Sequence, residues 1–178
     1  KIKIEAGDLI ICLYFYHQKF KKMDVRHYFD AVDFSLYSVN SNWNWKYLVG
    51  AAIEKKTDSL TPHNFQKLDA VIFGVPFDSR LAEGESSEAP DKIREELYQL
   101  SKFNKKLNVA DFGNLKPAKS VKGNYQALRD IIEFFNELEI VTIVIGGSQD
   151  LSFGICDAFR NNDLFSFFTP QIFTCRNK

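Results

Sequence analysis

Three short apolar runs, each closed by glycine or proline and each followed by a stretch of helical spacing, constrain this chain more than any other feature. The first is Asp69-Ala-Val-Ile-Phe-Gly-Val-Pro76, a continuous apolar run ending at Gly74 and Pro76, as expected of a strand buried on both faces of a parallel sheet. A polar loop, Asp78 to Glu88, leads to Pro90, placed as a first-turn helix proline. Ile93, Leu97 and Leu100 then predict an amphipathic helix over 90–102, with Asp91, Glu95 and Glu96 near its positive end. The second strand, Leu107 to Phe112, is expected to stop at the breaker Gly113-Asn114. Tyr125, Leu128, Ile131, Ile132, Phe135 and Leu138 predict the clearest helix, with Arg129 and Glu133 pairing on its wet face. A third buried strand, Val141 to Ile145, a tight turn at Gly146-Gly147 and a third helix, Asp150 to Arg160, complete the series. That helix carries Leu151, Ile155 and Phe159 inward, with Asp150 or Ser148 as its cap. Three β-α steps in succession specify an α/β fold with a parallel sheet and right-handed crossovers.

Upstream, Val32, Phe34 and Leu36 alternate with polar residues and read as a half-exposed strand. Trp43 and Trp45 read as core or subunit contacts ahead of pocket lining. The two ends differ from the middle. Residues 1–22 carry five lysines against Glu5 and Asp8. They read either as an extension ahead of a natural start at Met23 or as a strand, Leu9 to Tyr16, on a sheet edge. Residues 161–178 hold four of the 17 phenylalanines and are expected either to pack as an edge strand or to lack their partner elements. The expected organisation is therefore an extension over 1–22, an α/β domain over 23–160 and an atypical tail over 161–178.

Composition narrows the function. The 178 residues are 45% hydrophobic and carry 23 basic against 23 acidic side chains. A net charge of zero with no long basic run argues against nucleic-acid or anionic-membrane binding. No apolar run reaches the roughly 18 residues of a membrane helix. Cys12, Cys156 and Cys175 form no CxxC pair, and His17, His27 and His63 stand apart. The expectation is three free thiols in a reducing cytoplasm, with no disulfide and no thiolate zinc site.

Ligands of an open parallel sheet bind beyond the carboxyl ends of its strands. Here those ends are Pro76 to Arg80, Gly113-Asn114 and Gly146 to Asp150. The Gly146-Gly147-Ser148-Gln149-Asp150 turn matches neither GxGxxG nor GxxxxGK[ST], so on its residues alone a plain β-α turn outweighs a phosphate cradle. Asp78 and Asp111 read as turn organisers ahead of second-layer carboxylates. Glu83, Glu85 and Glu88 read as a solvated loop.

Four segments together resemble the N-terminal half of the ureohydrolase family of arginase, agmatinase and formimidoylglutamase. They are Asp69-Ala-Val-Ile-Phe-Gly-Val-Pro-Phe-Asp78, Ala89-Pro-Asp-Lys-Ile-Arg94, Val109-Ala-Asp-Phe-Gly-Asn114 and Val144-Ile-Gly-Gly-Ser-Gln-Asp-Leu-Ser-Phe-Gly154. With Met23-Asp-Val-Arg-His-Tyr-Phe-Asp30 upstream, the pattern is similar to a divergent formimidoylglutamase-like branch, and it covers about residues 66–156.

The resemblance implies a three-layer αβα fold with a mainly parallel sheet, incomplete over this length. It also implies two manganese ions and a bridging hydroxide that attacks a guanidinium or formimidoyl carbon, releasing urea, ammonia or formamide. Ser148 and Gln149 stand where the family motif reads Asp-His, so Gln149 holds the first histidine-ligand position, and an amide is a poorer donor than imidazole. Ser148 and Asp150 become the substrate-binding candidates. The family's Asp-x-His-x-Asp and Asp-x-Asp ligand segments have no counterpart here. The expectation is a cytoplasmic, homo-oligomeric relative of C–N hydrolases for linear amidine or guanidino substrates, truncated and inactive as given, its cofactor manganese or none. The alternative is a non-catalytic relative that binds a small molecule or partner.

Overall fold

A computed structural model describes residues 24–32, 45–55, 65, 67–77, 87–102 and 107–159, together with the backbone of residues 164–168 and 172–176. In chain order the elements are β1 (Phe29–Asp30), α1 (Val49–Ala52), β2 (Ala70–Gly74), α2 (Ala89–Leu97), β3 (Val109–Leu115), α3 (Val121–Glu137), β4 (Val141–Ile145), α4 (Ser152–Ala158), β5 (Leu164–Phe168) and β6 (Ile172–Arg176). The main sheet has the order β1-β3-β2-β4. Strands β2, β3 and β4 run parallel, while β1 pairs antiparallel with β3.

Strand periodicity sorts the side chains of β2 onto two faces. Val71, Phe73 and the following Val75 point into a core shared with Leu128, Ile131, Ile132 and Phe135 of α3 and Leu151 before α4. Ile72 points the other way, into a smaller cluster with Val49 and Ile53 at α1, Tyr98 after α2 and Ile145 of β4. Helices thus cover both faces of a mainly parallel sheet, the three-layer arrangement that the repeated β-α pattern and the family resemblance imply.

Helix α3 shows how closely local sequence sets an element. Ser120 caps it, accepting a hydrogen bond from the Gly123 N–H at 3.1 Å, and of the predicted apolar stripe Leu128, Ile131, Ile132 and Phe135 are buried while Tyr125 and Leu138 are partly so. Ser120→Ala should lower stability by about 1 kcal/mol. The urea midpoint should fall with an unchanged slope, and an unchanged midpoint would show that the cap contributes nothing.

Several expectations are corrected. Helix α2 ends at Leu97, not near 102, and Ile93 and Leu100 are 41% and 57% exposed. Its buried face is Pro90 and Arg94, because Arg94 finds an internal acidic partner. Strand β3 runs through Gly113-Asn114 instead of stopping there. Gly113 takes a positive φ of 87° at a register shift against β2, and the chain goes on to pair with β1. A Cβ at Gly113 would lie 2.2 Å from the Asp30 carbonyl oxygen, so this close approach needs glycine.

Strand β4 is not buried on both faces: Val141 and Ile143 are 62% and 40% exposed, since β4 is the last strand of the sheet among the described residues. The third helix opens as a 3-10 turn, Gln149–Leu151, and Ser148 precedes it without a side-chain capping bond. Arg129 lies 3.9 Å from Glu133 as expected but approaches Asp130 more closely, at 2.7 Å.

The upstream strand is Phe29–Asp30, while Phe34, Leu36, Trp43, Met23 and the Leu9 to Tyr16 stretch lie outside the described residues. In the tail, β5 and β6 pair antiparallel as a two-stranded sheet of their own rather than as an edge of the main one. Cys156, expected as a free thiol, is disulfide-bonded. The spacing of the three cysteines in the sequence carries no sign of this bond. Among the described residues, no helix is long and apolar enough to cross a membrane.

Candidate functional site

Because β2, β3 and β4 are parallel, their carboxyl ends lie on one edge of the sheet. Gly74 of β2 aligns with Asn114 of β3 and with Ile145 of β4. Beyond them, the Val75 N–H donates to the Ile145 carbonyl at 3.0 Å and the Ser148 N–H donates to the Phe77 carbonyl at 3.1 Å. The chain leaving β2 therefore runs beside the Gly146–Asp150 turn. Asp78 and Arg80 lie outside the described residues, as do Glu83 and Glu85. Glu88 is solvated, as expected, and pairs with Lys92 at 3.0 Å.

The turn is built on two glycines with φ of 79° and 78°. Ser148 is buried and Gln149 is exposed. The Ser148 hydroxyl donates to Asp150 Oδ1, and the Tyr125 hydroxyl, from α3, donates to Asp150 Oδ2. The structure thus brings Ser148 and Asp150 together through their side chains and ties both to α3. Tyr125 was legible only as part of an apolar stripe; its hydroxyl reaches the turn because α3 packs behind β4 and α4.

A second polar cluster lies under this edge. Arg94 and Asp111 are 0% and 1% exposed. Arg94 Nε donates to Asp111 Oδ2 at 2.9 Å and Nη2 donates to Oδ1 at 3.0 Å, the bidentate geometry that a guanidinium and a carboxylate favour. The other donors reach the Gly113 carbonyl at 2.9 Å, Asn114 Oδ1 at 2.7 Å and Asp91 Oδ1 at 3.3 Å. Asp111 also accepts from the Tyr98 hydroxyl at 2.5 Å and from the Gly113 N–H at 2.8 Å. Burial, reinforced by the Asp111 charge, pushes the Tyr98 hydroxyl well above its ordinary pKa, so it stays a donor. Asp111, read from sequence as a turn organiser, instead lies inside β3, where it accepts the Gly113 N–H at the register shift and neutralises Arg94. Two signals could have exposed the pair: a charged residue inside the apolar run 109–112, and Pro90, Arg94 and Tyr98 at intervals of four on one helix face.

The family model described as the arginase family matches residues 68–165, more than half of the chain and all three parallel strands. The chain belongs to the arginase family. Curated relatives are the formimidoylglutamases of Salmonella heidelberg (strain SL476) and Salmonella agona (strain SL483). Each is 26% identical over 118 residues, which is 61% of this chain and 37% of theirs. Among solved structures, an arginase superfamily protein from Trypanosoma cruzi is 21% identical with a TM-score of 0.49, over 55% of this chain and 37% of its own. A Trypanosoma cruzi formiminoglutamase with Mn2+ is 22% identical with a TM-score of 0.47, over 53% and 35%. The chain spans little more than a third of the length of the curated relatives it matches.

For an arginase-family chain, the turn is the place to test for a manganese centre. Gln149 can offer one amide oxygen and Asp150 one carboxylate, each of whose oxygens also accepts a hydrogen bond from a hydroxyl. Among the described residues, no three His, Cys, Asp or Glu side chains gather where they could hold a metal ion. A hard divalent ion with open positions for substrate calls for several carboxylate or imidazole donors. The described donor set does not fit one.

Proposed function

We propose that this arginase-family chain is of the formimidoylglutamase type, that its Gly146–Asp150 turn faces a linear amidine or guanidino ligand, and that these 178 residues alone do not hydrolyse it. The observation carrying this reading is the turn itself. It lies at the carboxyl edge of the parallel strands and presents Gln149, with Asp150 held by Ser148 and Tyr125. The curated formimidoylglutamase relatives support the ligand class. The amide at Gln149 supports the absence of turnover, because a metal-activated hydroxide needs ligands that this donor set does not supply.

The test combines the chain with Mn2+ and formimidoylglutamate, arginine or agmatine. Formamide or urea is assayed, and metal binding is followed by calorimetry. The expected result is no product above the buffer rate and no saturable metal heat. Product formation abolished by a chelator would overturn the reading.

A non-catalytic binding role is favoured by one further feature. Asp150 is a part-buried carboxylate fixed in place by two hydroxyl donors, and amidinium groups pair with fixed carboxylates. Agmatine should then bind without turnover, and Asp150→Asn should weaken it about tenfold, the loss expected of one charge-assisted contact. Equal affinity in the variant would remove Asp150 from the site.

A further inference from the structure

Two consecutive glycines at positive φ do not hold one conformation unaided, because glycine populates several regions at similar energy. The contacts around Gly146 and Gly147 must therefore select the turn. On one side the chain after β2 does so, through the Phe77 carbonyl and the Ser148 N–H. On the other side stands Pro90. A Cβ added at Gly146 would lie 2.5 Å from both Cγ and Cδ of the Pro90 ring, and one added at Gly74 would lie 2.7 Å from Pro90 Cβ. The fully buried proline is wedged between the end of β2 and the turn after β4.

Pro90 sits one helical turn before Arg94, on the same face of α2. A planar guanidinium bonded in a fork to Asp111, and also to Gly113 and Asn114, fixes the rotation of its helix about the helix axis far more tightly than apolar packing does. We infer that Arg94 is a positioning residue for the Gly146–Asp150 turn, acting through the Pro90 wedge before any ligand arrives. The inference rests on the reading of that turn as the ligand-facing element. It makes the approach of Gln149 and Asp150 to a ligand depend on a clamp built from β3 and α2, neither of which contributes to the turn.

The test uses the full chain, labelled with 15N and free of ligand, and follows the amide signals and hydrogen exchange of Gly146, Gly147 and Ser148. Arg94→Lys keeps the charge but loses the fork, Pro90→Ala removes the wedge, and Ile132→Val thins the α3 core as a control for general loss of stability. Arg94→Lys and Pro90→Ala should each move the three amide signals and speed their exchange by at least about tenfold, beyond what Ile132→Val does at a matched melting temperature. Unmoved signals in Arg94→Lys overturn the assignment, as does an equal response in Ile132→Val. If only Pro90→Ala moves them, the wedge acts without the clamp and Arg94 has no positioning role. Since no amidine or metal is present, this outcome is independent of the binding and turnover assays above.

Discussion

Asp111→Ala should destabilise the fold by about 3–5 kcal/mol, the cost typical of removing one partner from a buried ion pair. The substitution would leave the Arg94 guanidinium in a site where it is 0% exposed, with two of its donors facing a methyl group. The Tyr98 hydroxyl and the Gly113 N–H would lose the same acceptor. Water cannot readily replace the carboxylate, because β3 is covered on both faces at this point. Asp111→Asn keeps the volume and one acceptor oxygen, so it should cost less than Asp111→Ala while still weakening the fork. Chemical denaturation of the three proteins would decide the matter. Loss of less than 1 kcal/mol in Asp111→Ala would show that the pair is dispensable. Replacing both Arg94 and Asp111 with apolar residues would not be neutral here, because Gly113, Asn114 and Tyr98 would all be left with unmet hydrogen-bonding groups.

The second large effect is expected on the other face of the sheet. Phe135→Ala should cost about 3–5 kcal/mol, the range for truncating a fully buried aromatic ring. Phe135 is 0% exposed and packs edge-on against Phe112 of β3 and Phe134 of its own helix, with ring centroids 5.3 and 5.2 Å apart. Phe112 in turn meets Phe29 of β1 and Phe65, so one truncation loosens a chain of rings that joins three elements. Tilted and edge-to-face pairs add to the area that each ring buries. The expected readout is a fall in melting temperature with a retained far-ultraviolet spectrum. A shift of only 1 or 2 °C would mean that the core closes around the gap.

The two substitutions also separate what was legible in the sequence from what was not. Phe135 was legible, because a residue at i, i+3 and i+4 spacing from other apolar residues on a long helix has few places to go but the core. The same local rule misread α2. Ile93 and Leu100 looked like its inner face, yet the helix turns Arg94 inward, since a carboxylate waits on β3 17 residues further along the chain. Helical periodicity reports which residues share a face and is silent on which face meets the sheet when a strong polar pair competes with apolar area. The turn at Gly146–Asp150 was singled out by its glycines, but the tie from Tyr125 to Asp150 spans 25 residues and exists only once α3 is packed.

Local sequence sufficed for the number and kind of the central elements, their parallel order of strand and helix, and the glycine turn at the carboxyl end of β4, because these follow from local periodicity and turn chemistry. The tertiary structure alone decided that Arg94 and Asp111 are paired, that Gly113 bends β3 without ending it, that β4 is half exposed, and that Pro90 braces the turn. Each depends on groups far apart in the chain whose attraction or close approach has no local signature. Distance through space sets the strength of a hydrogen bond and the tightness of a contact, and that distance is fixed only by the fold.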